Sequence, residues 1–301
     1  MSDRIRVGTR RSALARAQTE TVLRRLQRVA PSRSFEPVLV ETSGDRDRSV
    51  GSSPDFTDAI DRALLAGEVD LAVHSAKDLP LQLDPGISLW ASPARADPRD
   101  CLVIGPRAGR GGLVRGARVG SSSLRRRAQL LRWRPDLRVV EIRGNVDTRI
   151  ARVRSGDLDA AILAVAGLRR LGRADDIARV LPSADFVPAP AQGALAIVGR
   201  TGDHDLARVA ERLNHPATLS AVRAERAFAA ELGGDCEVPL GCAARIRGRS
   251  LSVEGDVLSP DGRMRLRARR LGPSSAPERA GTELGRILLD RGAAELLGAR
   301  R

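Results

Sequence analysis

The chain has 301 residues, 42% of them hydrophobic, which is enough to bury a substantial core and to form two or three domains. Its mean hydropathy of −0.22 is typical of a folded globular protein, and it has no apolar run of the roughly 20 residues that a membrane-spanning helix needs. Its three cysteines lack the number and spacing of a disulfide framework or a zinc site. No apolar signal core follows the first residues, so the sequence predicts a cytoplasmic protein. Because the cysteines lack the spacing of a zinc site, it also predicts no metal centre.

The net charge of +14 at pH 7 is carried almost wholly by arginine, and Lys77 is the one lysine. Such a charge suits nucleic acid, an anionic membrane surface or a small ligand with several negative groups. The chain has no tyrosine, four phenylalanines and two tryptophans, so it lacks aromatic side chains on which bases could stack. Because the basic residues are also spread along the chain, a polyanionic small molecule is favoured.

Strand and helix patterns alternate through the first two-thirds of the chain, which predicts parallel β-α-β units. The patterns predict strands over 5–9, 35–42 and 70–76, with helices over 13–30 and around 56–64. After a crossover at 97–100 they predict strands over 101–105, 117–121, 137–142 and 159–165, and helices over 123–134, 145–155 and 167–180. Residues 181–194 are rich in Pro, Ala and Gly, which predicts a linker or hinge.

The pattern changes after residue 216. A predicted long helix over 216–232 is followed by strands over 243–248, 251–259 and 264–271 and a helix over 277–299. The predicted fold is therefore α/β, with two doubly wound lobes and a smaller C-terminal α/β domain that contains an antiparallel sheet. We expect a first domain of 1–94 and 194–212, a second of 99–188 and a third of 216–301. Such lobes bind ligands beyond the carboxyl ends of their strands.

One candidate site follows the strand in AVHSAKDLP, at 72–80, where Lys77 and Asp78 come at the carboxyl end. A carboxylate beside an ammonium group can donate and accept a proton, or can balance a cation that forms during a reaction. The same two residues could equally form a surface ion pair in a loop. The segment alone does not separate these two interpretations.

A second candidate site lies in VGSSSLRRRAQL, at 119–130, where a strand, a run of serines and a helix start follow each other. Free backbone N–H groups, serine hydroxyls and the guanidinium groups of Arg125 and Arg126 form a natural anion site. The alternative is a capped helix with a solvated basic first turn. Positive charge is unfavourable near a helix N-terminus, which favours anion binding over that alternative.

Further arginines follow predicted strand or helix ends. Arg143 and Arg149 flank a Gly-Asn turn in EIRGNVDTRI, and Arg10 and Arg170 also follow the end of a predicted strand or helix. Several arginines directed at one cleft suit a ligand with several carboxylates, because a guanidinium binds a carboxylate through two parallel hydrogen bonds. Neither GxGxxG nor GxxxxGK[ST], the glycine-rich nucleotide loops, occurs in the sequence. Cys236, in LGGDCEVPLGC, is predicted to lie in an exposed loop, although a single cysteine is more often inert.

Nine segments together resemble the motifs of the porphobilinogen deaminase family, in order and spacing and over nearly the whole chain. They are TRRSALARAQ, AVHSAKDLP, ADPRD, VGSSSLRRR, IRGNVDTR, DAAILAVAGLRRLG, PAQGALAI, AERAF and GGDCEVPLG. The resemblance implies a cytoplasmic, monomeric transferase of three domains, the first two like the lobes of periplasmic binding proteins. It implies that four porphobilinogen units are joined, with loss of ammonia, onto a covalently bound dipyrromethane cofactor. Water then releases the linear tetrapyrrole, hydroxymethylbilane, in haem biosynthesis.

The resemblance also implies roles for particular residues. Cys236 matches the cysteine that holds the dipyrromethane through a thioether, with Cys242 as a bystander, and Asp78 matches the catalytic aspartate that protonates the leaving amine and stabilises the cationic pyrrole. The residues that match cofactor binding are Cys236, Lys77, Asp78, Ser123, Arg125 and Arg126. Those that match binding of the substrate, with its acetate and propionate groups, are Arg10, Ser12, Gln18, Arg143, Arg149 and Arg170. It implies no metal and no nucleic acid.

The match fails in the loop that folds over the active site in the family, where GGKGLF followed by VKELE is typical. The corresponding stretch here is shorter and more acidic, and such a lid, over 42–56, could weaken substrate capture or slow elongation. Positions that depart from the pattern are Ser53, Pro54, Asp55, Ala59 and, further on, Val198. Two alternatives therefore stay open: a divergent relative that binds linear pyrroles or other polycarboxylates without full turnover, and a basic protein that binds nucleic acid.

Overall fold

A computed structural model of the chain describes residues 4–42, 57–106, 112–234 and 238–297. The chain folds into two compact units, one of Met1–Ala96 with Ala194–Leu219 and one of Asp97–Gly193 with Ser220–Arg301. It therefore leaves the first unit at the predicted crossover and re-enters it at Ala194. The division into three domains stays a prediction.

The described part of the chain contains strands and α-helices that we number in chain order. The strands are β1 (Arg4–Arg10), β2 (Ser34–Val40), β3 (Leu71–Ser75), β4 (Ile87–Ala91), β5 (Asp100–Ile104), β6 (Arg118–Gly120), β7 (Arg138–Val140), β8 (Ala160–Ala164), β9 (Arg179–Val180), β10 (Leu195–Arg200), β11 (Leu240–Arg247), β12 (Ser250–Leu258) and β13 (Arg265–Pro273). The helices are α1 (Ala13–Val29), α2 (Asp58–Leu65), α3 (Leu124–Trp133), α4 (Val146–Arg154), α5 (Val165–Arg170), α6 (His204–Glu211), α7 (Pro216–Glu231), α8 (Pro277–Leu289) and α9 (Ala293–Leu297).

The first unit is built on a five-stranded sheet of order β2-β1-β3-β10-β4. Strand β1 pairs in parallel with β2 and β3, as the alternating pattern predicts, whereas β10 runs antiparallel to β3 and β4. The sequence did not reveal β4 or β10 as strands. Helix α1 buries Val22 and Leu26, four residues apart on one face, in a core shared with Val7 of β1.

The second unit contains a sheet of order β7-β6-β8-β5-β9, in which β6 is parallel to β7 and β8 while β5 is antiparallel to β8 and β9. Both faces of this sheet are buried. Cys101 and Val103 belong to one hydrophobic cluster and Leu102, between them, belongs to the other. Alternate residues of a strand face opposite sides of the sheet. Strand β5 is apolar at successive positions because its residues contribute to a hydrophobic cluster on each side.

Two predicted helices are shorter in the structure because glycines interrupt them. The helix predicted over 167–180 is α5, which ends at Arg170, before Gly172 with φ +68°. The chain then forms the short edge strand β9. The helix predicted over 277–299 is divided into α8 and α9 by Gly292, whose φ is +90°. A positive φ is favourable for glycine and ends a helix.

The C-terminal part of the chain confirms the predicted antiparallel sheet, with order β11-β12-β13. Leu251, Val253 and Val257 of β12 are buried. Helix α8 packs closely on α7. A Cβ at Gly281 of α8 would lie 2.0 Å from the carbonyl oxygen of Ala224 of α7, so only glycine permits this approach. The α/β fold class is confirmed. No helix in the described ranges is both long and apolar enough to span a membrane.

Candidate active site

The first group of candidate residues lies around a cavity of about 70 Å³ in the first unit. Strands β1 and β3 are parallel neighbours, so their carboxyl ends lie at the same edge of the sheet. Arg10 ends β1 and Lys77 follows β3. The candidate residues in the lining are Arg10, Ser12, Gln18, Lys77 and Asp78, and its other polar residues are His74 and Ser75 of β3.

Helix α1 begins beside this cavity. The Ser12 hydroxyl caps it by accepting a hydrogen bond from the Ala15 N–H at 3.3 Å, and Gln18 is buried further along the helix. The capping serine leaves other N–H groups of the first turn available, and a helix N-terminus favours negative charge. With Arg10 and Lys77 nearby, this end of the sheet suits an anionic ligand.

Lys77 and Asp78 lie in a 3-10 turn, Ala76–Asp78, that follows β3 directly, and both side chains are half-buried. The described residues include no cation within ion-pair distance of the Asp78 carboxylate. The interpretation of these two residues as a surface ion pair is therefore not supported. A half-buried carboxylate that lines a cation-rich cavity is placed to meet a positive group of a ligand.

His74 is a polar residue of the cavity to which the sequence assigned no role. It is 4% exposed, and burial, with a smaller contribution from the charge of Arg10, lowers its pKa to about 4. Its Nε2 atom has no hydrogen-bond partner among the described residues. The imidazole is therefore neutral at physiological pH and adds no positive charge to the cavity. The signal in the sequence was a histidine within the apolar strand LAVHS.

In the second unit, helix α3 has the predicted cap but not a solvated basic turn. The Ser123 hydroxyl accepts a hydrogen bond from the Arg126 N–H at 3.4 Å. Arg125 and Arg126 are only 3% and 7% exposed and point to Asp100 of β5. The repulsion between two guanidinium groups and a helix N-terminus is thus offset by a buried carboxylate.

Asp100 is completely buried and binds both arginines. Its Oδ2 lies 2.8 Å from Arg125 Nη1, and its Oδ1 lies 2.7 Å from Arg126 Nη2. Burial opposes ionisation of Asp100, but the charges and hydrogen bonds of Arg125 and Arg126 outweigh it and hold its pKa well below the usual range. Burial also lowers the pKa of the Arg125 guanidinium. One carboxylate faces two guanidinium groups, which leaves an excess of positive charge.

Arg149 brings a third guanidinium group to this part of the second unit. Its Nε donates to the carbonyl oxygen of Gly144 at 2.9 Å and its Nη2 donates to the Ser122 hydroxyl at 3.2 Å. Burial, and then the charges of Arg126 and Arg143, lower the pKa of Arg149 to about 10. Arg126 and Arg143 therefore both lie within electrostatic reach of Arg149, and an anion bound beside Arg149 would offset this repulsion.

The remaining candidates are placed as follows. Arg143 donates to Glu141 Oε1 at 2.7 Å, and Arg170, at the end of α5, donates to the carbonyl oxygen of Gly193 at 2.7 Å. Cys236 and the loop positions 43–56 lie outside the described residues. Val198 is completely buried in β10, Ala59 is half-buried in α2, and Cys242 is buried in β11. The described residues contain no group of His, Cys, Asp and Glu suited to a metal ion.

Two family models match the chain. The model described as "Porphobilinogen deaminase, dipyromethane cofactor binding domain" matches residues 5–208, and "Porphobilinogen deaminase, C-terminal domain" matches residues 219–290. The chain belongs to the porphobilinogen deaminase family.

Curated members of this family are similar over almost their full length. The porphobilinogen deaminase of Rubrobacter xylanophilus is 48% identical over 99% of this chain and 98% of that protein. That of Roseiflexus castenholzii is 43% identical over 99% of both chains, and that of Thermus thermophilus is 43% identical over 98% of both. Among solved structures, the VFT2 domain of BvgS from Bordetella pertussis is 18% identical with a TM-score of 0.43, over 70% of this chain and 86% of that chain. Family membership rests on the sequence matches alone.

Proposed function

We propose that this chain is a hydroxymethylbilane synthase, a transferase of haem biosynthesis. It joins four porphobilinogen units, with loss of ammonia, onto a dipyrromethane bound as a thioether to Cys236, and it then releases the linear tetrapyrrole by hydrolysis. The observation that carries the proposal is the group of Arg126, Arg143 and Arg149 in a chain that both family models match. Each pyrrole unit brings an acetate and a propionate, so a growing oligopyrrole needs many guanidinium groups.

The residues of the second unit fit a cofactor that carries carboxylates. Asp100 is the one carboxylate bound to both Arg125 and Arg126. Carboxylate groups of a dipyrromethane would supply the missing negative charge. In this unit Ser123, Arg125 and Arg126 would hold it. The dipyrromethane supplies the pyrrole carbon to which the first substrate is joined.

In the first unit, Asp78 is the residue that we assign to proton transfer. Its carboxylate lines the cavity beside Lys77 and Arg10, which would hold ligand carboxylates through their positive charges. An aminomethyl group that leaves as ammonia needs a proton at its nitrogen, and the pyrrole that remains carries developing positive charge. A carboxylic acid within reach can supply the proton, and the carboxylate that forms stabilises the cation.

Side chains around these groups would bind the acetate and propionate of each incoming ring. In the first unit these are Ser12, Gln18 and Arg10, and in the second Arg143, Arg149 and Arg170. Guanidinium groups bind carboxylates through paired hydrogen bonds, so they select a charged pyrrole over a neutral one. We further propose a cytoplasmic monomer that binds neither nucleic acid nor membrane. A relative without turnover is not favoured by matches of this length and identity.

The intact mass of the purified protein tests this proposal. We expect an excess equal to one dipyrromethane on the wild-type chain and on Cys242→Ala, and none on Cys236→Ala. The loaded wild type should also convert porphobilinogen to hydroxymethylbilane and ammonia. A bare polypeptide mass, even after supply of porphobilinogen or preformed hydroxymethylbilane, would show that the chain has kept the family's fold without its reaction.

A further inference from the structure

Ala191 has an unusual backbone conformation in the turn that precedes β10. Its φ of +60° is the one positive φ of a non-glycine residue in the ranges that the structure describes. Residues with a Cβ avoid this region because the Cβ crowds the adjacent backbone. Ala191 is completely buried, so surrounding residues must hold this conformation in place.

The side chain of Glu225, on α7, binds this turn directly. Its Oε2 accepts a hydrogen bond from the Ala191 N–H at 2.6 Å, and its Oε1 accepts one from the Ala244 N–H of β11 at 2.7 Å. The carboxylate is completely buried. Hydrogen bonds to an ionised acceptor are stronger than neutral ones, so this carboxylate fixes the strained turn against β11.

The same turn places Gln192 among the buried charges around Arg126. Gln192 Nε2 donates to Asp100 Oδ1 at 2.9 Å and to the carbonyl oxygen of Pro98 at 2.7 Å. Its Oε1 accepts from Arg126 Nη2 at 3.3 Å. A different φ at Ala191 would rotate the backbone that follows it and move the Gln192 side chain away from these partners.

We propose that Glu225 is a positioning residue for Arg126. Glu225 holds the strained turn at Ala191, and that turn holds Gln192 against the Asp100–Arg126 ion pair. The inference rests on the proposed function in one respect, that Arg126 binds carboxylates of the dipyrromethane. It gives the AERAF segment, which has no part in the chemistry proposed above, a role in the site.

A double-variant cycle in thermal unfolding tests the first step. Glu225→Gln keeps the shape of the side chain but turns an NH₂ donor toward one backbone N–H, whereas Ala191→Gly permits the same φ without strain. We expect Glu225→Gln to lower the unfolding midpoint. Ala191→Gly should raise the midpoint of the wild type, in which the strain is held in place, by more than it raises that of Glu225→Gln, in which the alanine turn can relax. Equal effects of Ala191→Gly in both backgrounds would overturn the proposal. So would a Glu225→Gln protein that fails to fold and is not rescued by Ala191→Gly.

Cofactor occupancy of the folded protein tests the second step, and a purely structural role would not change it. For Glu225→Gln we expect about a tenfold lower ratio of loaded to bare chain by intact mass, the size of one lost hydrogen bond to a charged group. The double variant should recover most of this loss. Glu231→Gln is the control, because Glu231 lies on the same helix and pairs with Arg286 at 3.0 Å near the surface.

Unchanged occupancy in folded Glu225→Gln would overturn the positioning role. A wild-type chain that never carries the dipyrromethane would instead refute the proposed function, and with it the second step. The unfolding cycle would still decide whether Glu225 holds the turn at Ala191, so the two failures are distinguishable.

Discussion

Asp100 and Arg126 form a buried ion pair in which Nε and Nη2 of the guanidinium both reach Oδ1 of the carboxylate, at 3.0 and 2.7 Å. Arg125 binds the other oxygen, Oδ2, at 2.8 Å. A single carboxylate of β5 therefore orders two neighbouring arginines at the start of α3. Without it, both guanidinium groups would stay buried and lose the one carboxylate that they bind directly.

Asp100→Asn is expected to destabilise the protein strongly. Removing one member of a buried ion pair costs roughly 3–5 kcal/mol, because the partner charge stays buried and uncompensated. Urea unfolding at pH 7 measures the loss. Asp136→Asn is the matched control, since Asp136 pairs with Arg134 at 2.7 Å but both side chains are partly exposed, and we expect a much smaller loss. Equal losses in the two variants would contradict the role of Asp100.

Arg149→Lys is expected to weaken binding of porphobilinogen while leaving the fold intact. Lysine keeps the positive charge but loses the planar pair of donors, so we expect KM to rise about tenfold with a smaller change in kcat. Steady-state kinetics of the loaded enzyme measure both. Arg154→Lys is the control on the same helix, where Arg154 pairs with Asp176 at 2.7 Å. A similar KM for the two variants would argue against carboxylate binding by Arg149.

His74 should make the stability of the protein depend on pH. Its pKa is lowered to about 4, so an unfolded chain takes up a proton near pH 6.5 that the folded chain takes up only near pH 4. The free energy of unfolding therefore falls as the pH falls through this window, by about 1 kcal/mol between pH 7.5 and pH 5.5. Urea unfolding at the two pH values measures this difference. The difference between the two pH values should become smaller in His74→Gln. It should persist in the control His204→Gln, which changes an exposed histidine. An unchanged difference in His74→Gln would show that other groups cause it.

Gly144→Ala should disturb the turn that supports Arg149. Gly144 has a φ of +101°, and a Cβ there would lie 2.9 Å from Thr148 Cγ2. We expect a loss of about 1–3 kcal/mol in unfolding free energy together with a raised KM, because the Gly144 carbonyl accepts from Arg149 Nε. Gly172→Ala tests the backbone contribution alone, since φ is +68° but a Cβ would meet no atom within 4 Å. The prediction fails if the two variants lose the same stability and bind substrate equally well.

Local patterns in the sequence were sufficient to predict where most candidate residues lie. Arg10 and Lys77 follow apolar strands, and Ser123 stands before a helical run, so their positions depend on residues close to them in the chain. The anion site predicted in 119–130, with Arg125 and Arg126, rests on the same kind of reasoning and stays a prediction. Boundaries were wrong where a single glycine with positive φ, such as Gly172, interrupts an otherwise helical pattern.

Long-range partners could not be predicted in this way. Asp100 binds arginines 25 and 26 residues further along the chain, and Glu225 binds Ala191, 34 residues earlier. Each acid has an arginine next to it in the sequence, Arg99 or Arg226, so the sequence does not indicate that its partners lie far along the chain. Strand β10 is antiparallel to its neighbours because the chain returns from the other unit before it. Its direction could not be predicted from the residues close to it in the sequence.

Lys77 carries the one ε-amino group of the chain, and it lines the cavity of the first unit. Growth on isotopically labelled lysine would therefore give a single lysine spin system in the nuclear magnetic resonance spectrum. That signal needs no assignment, and it comes from a position beside Asp78. Because almost all other basic residues are arginines, the Lys77 side chain in the candidate active site can be observed without overlap from other lysine signals.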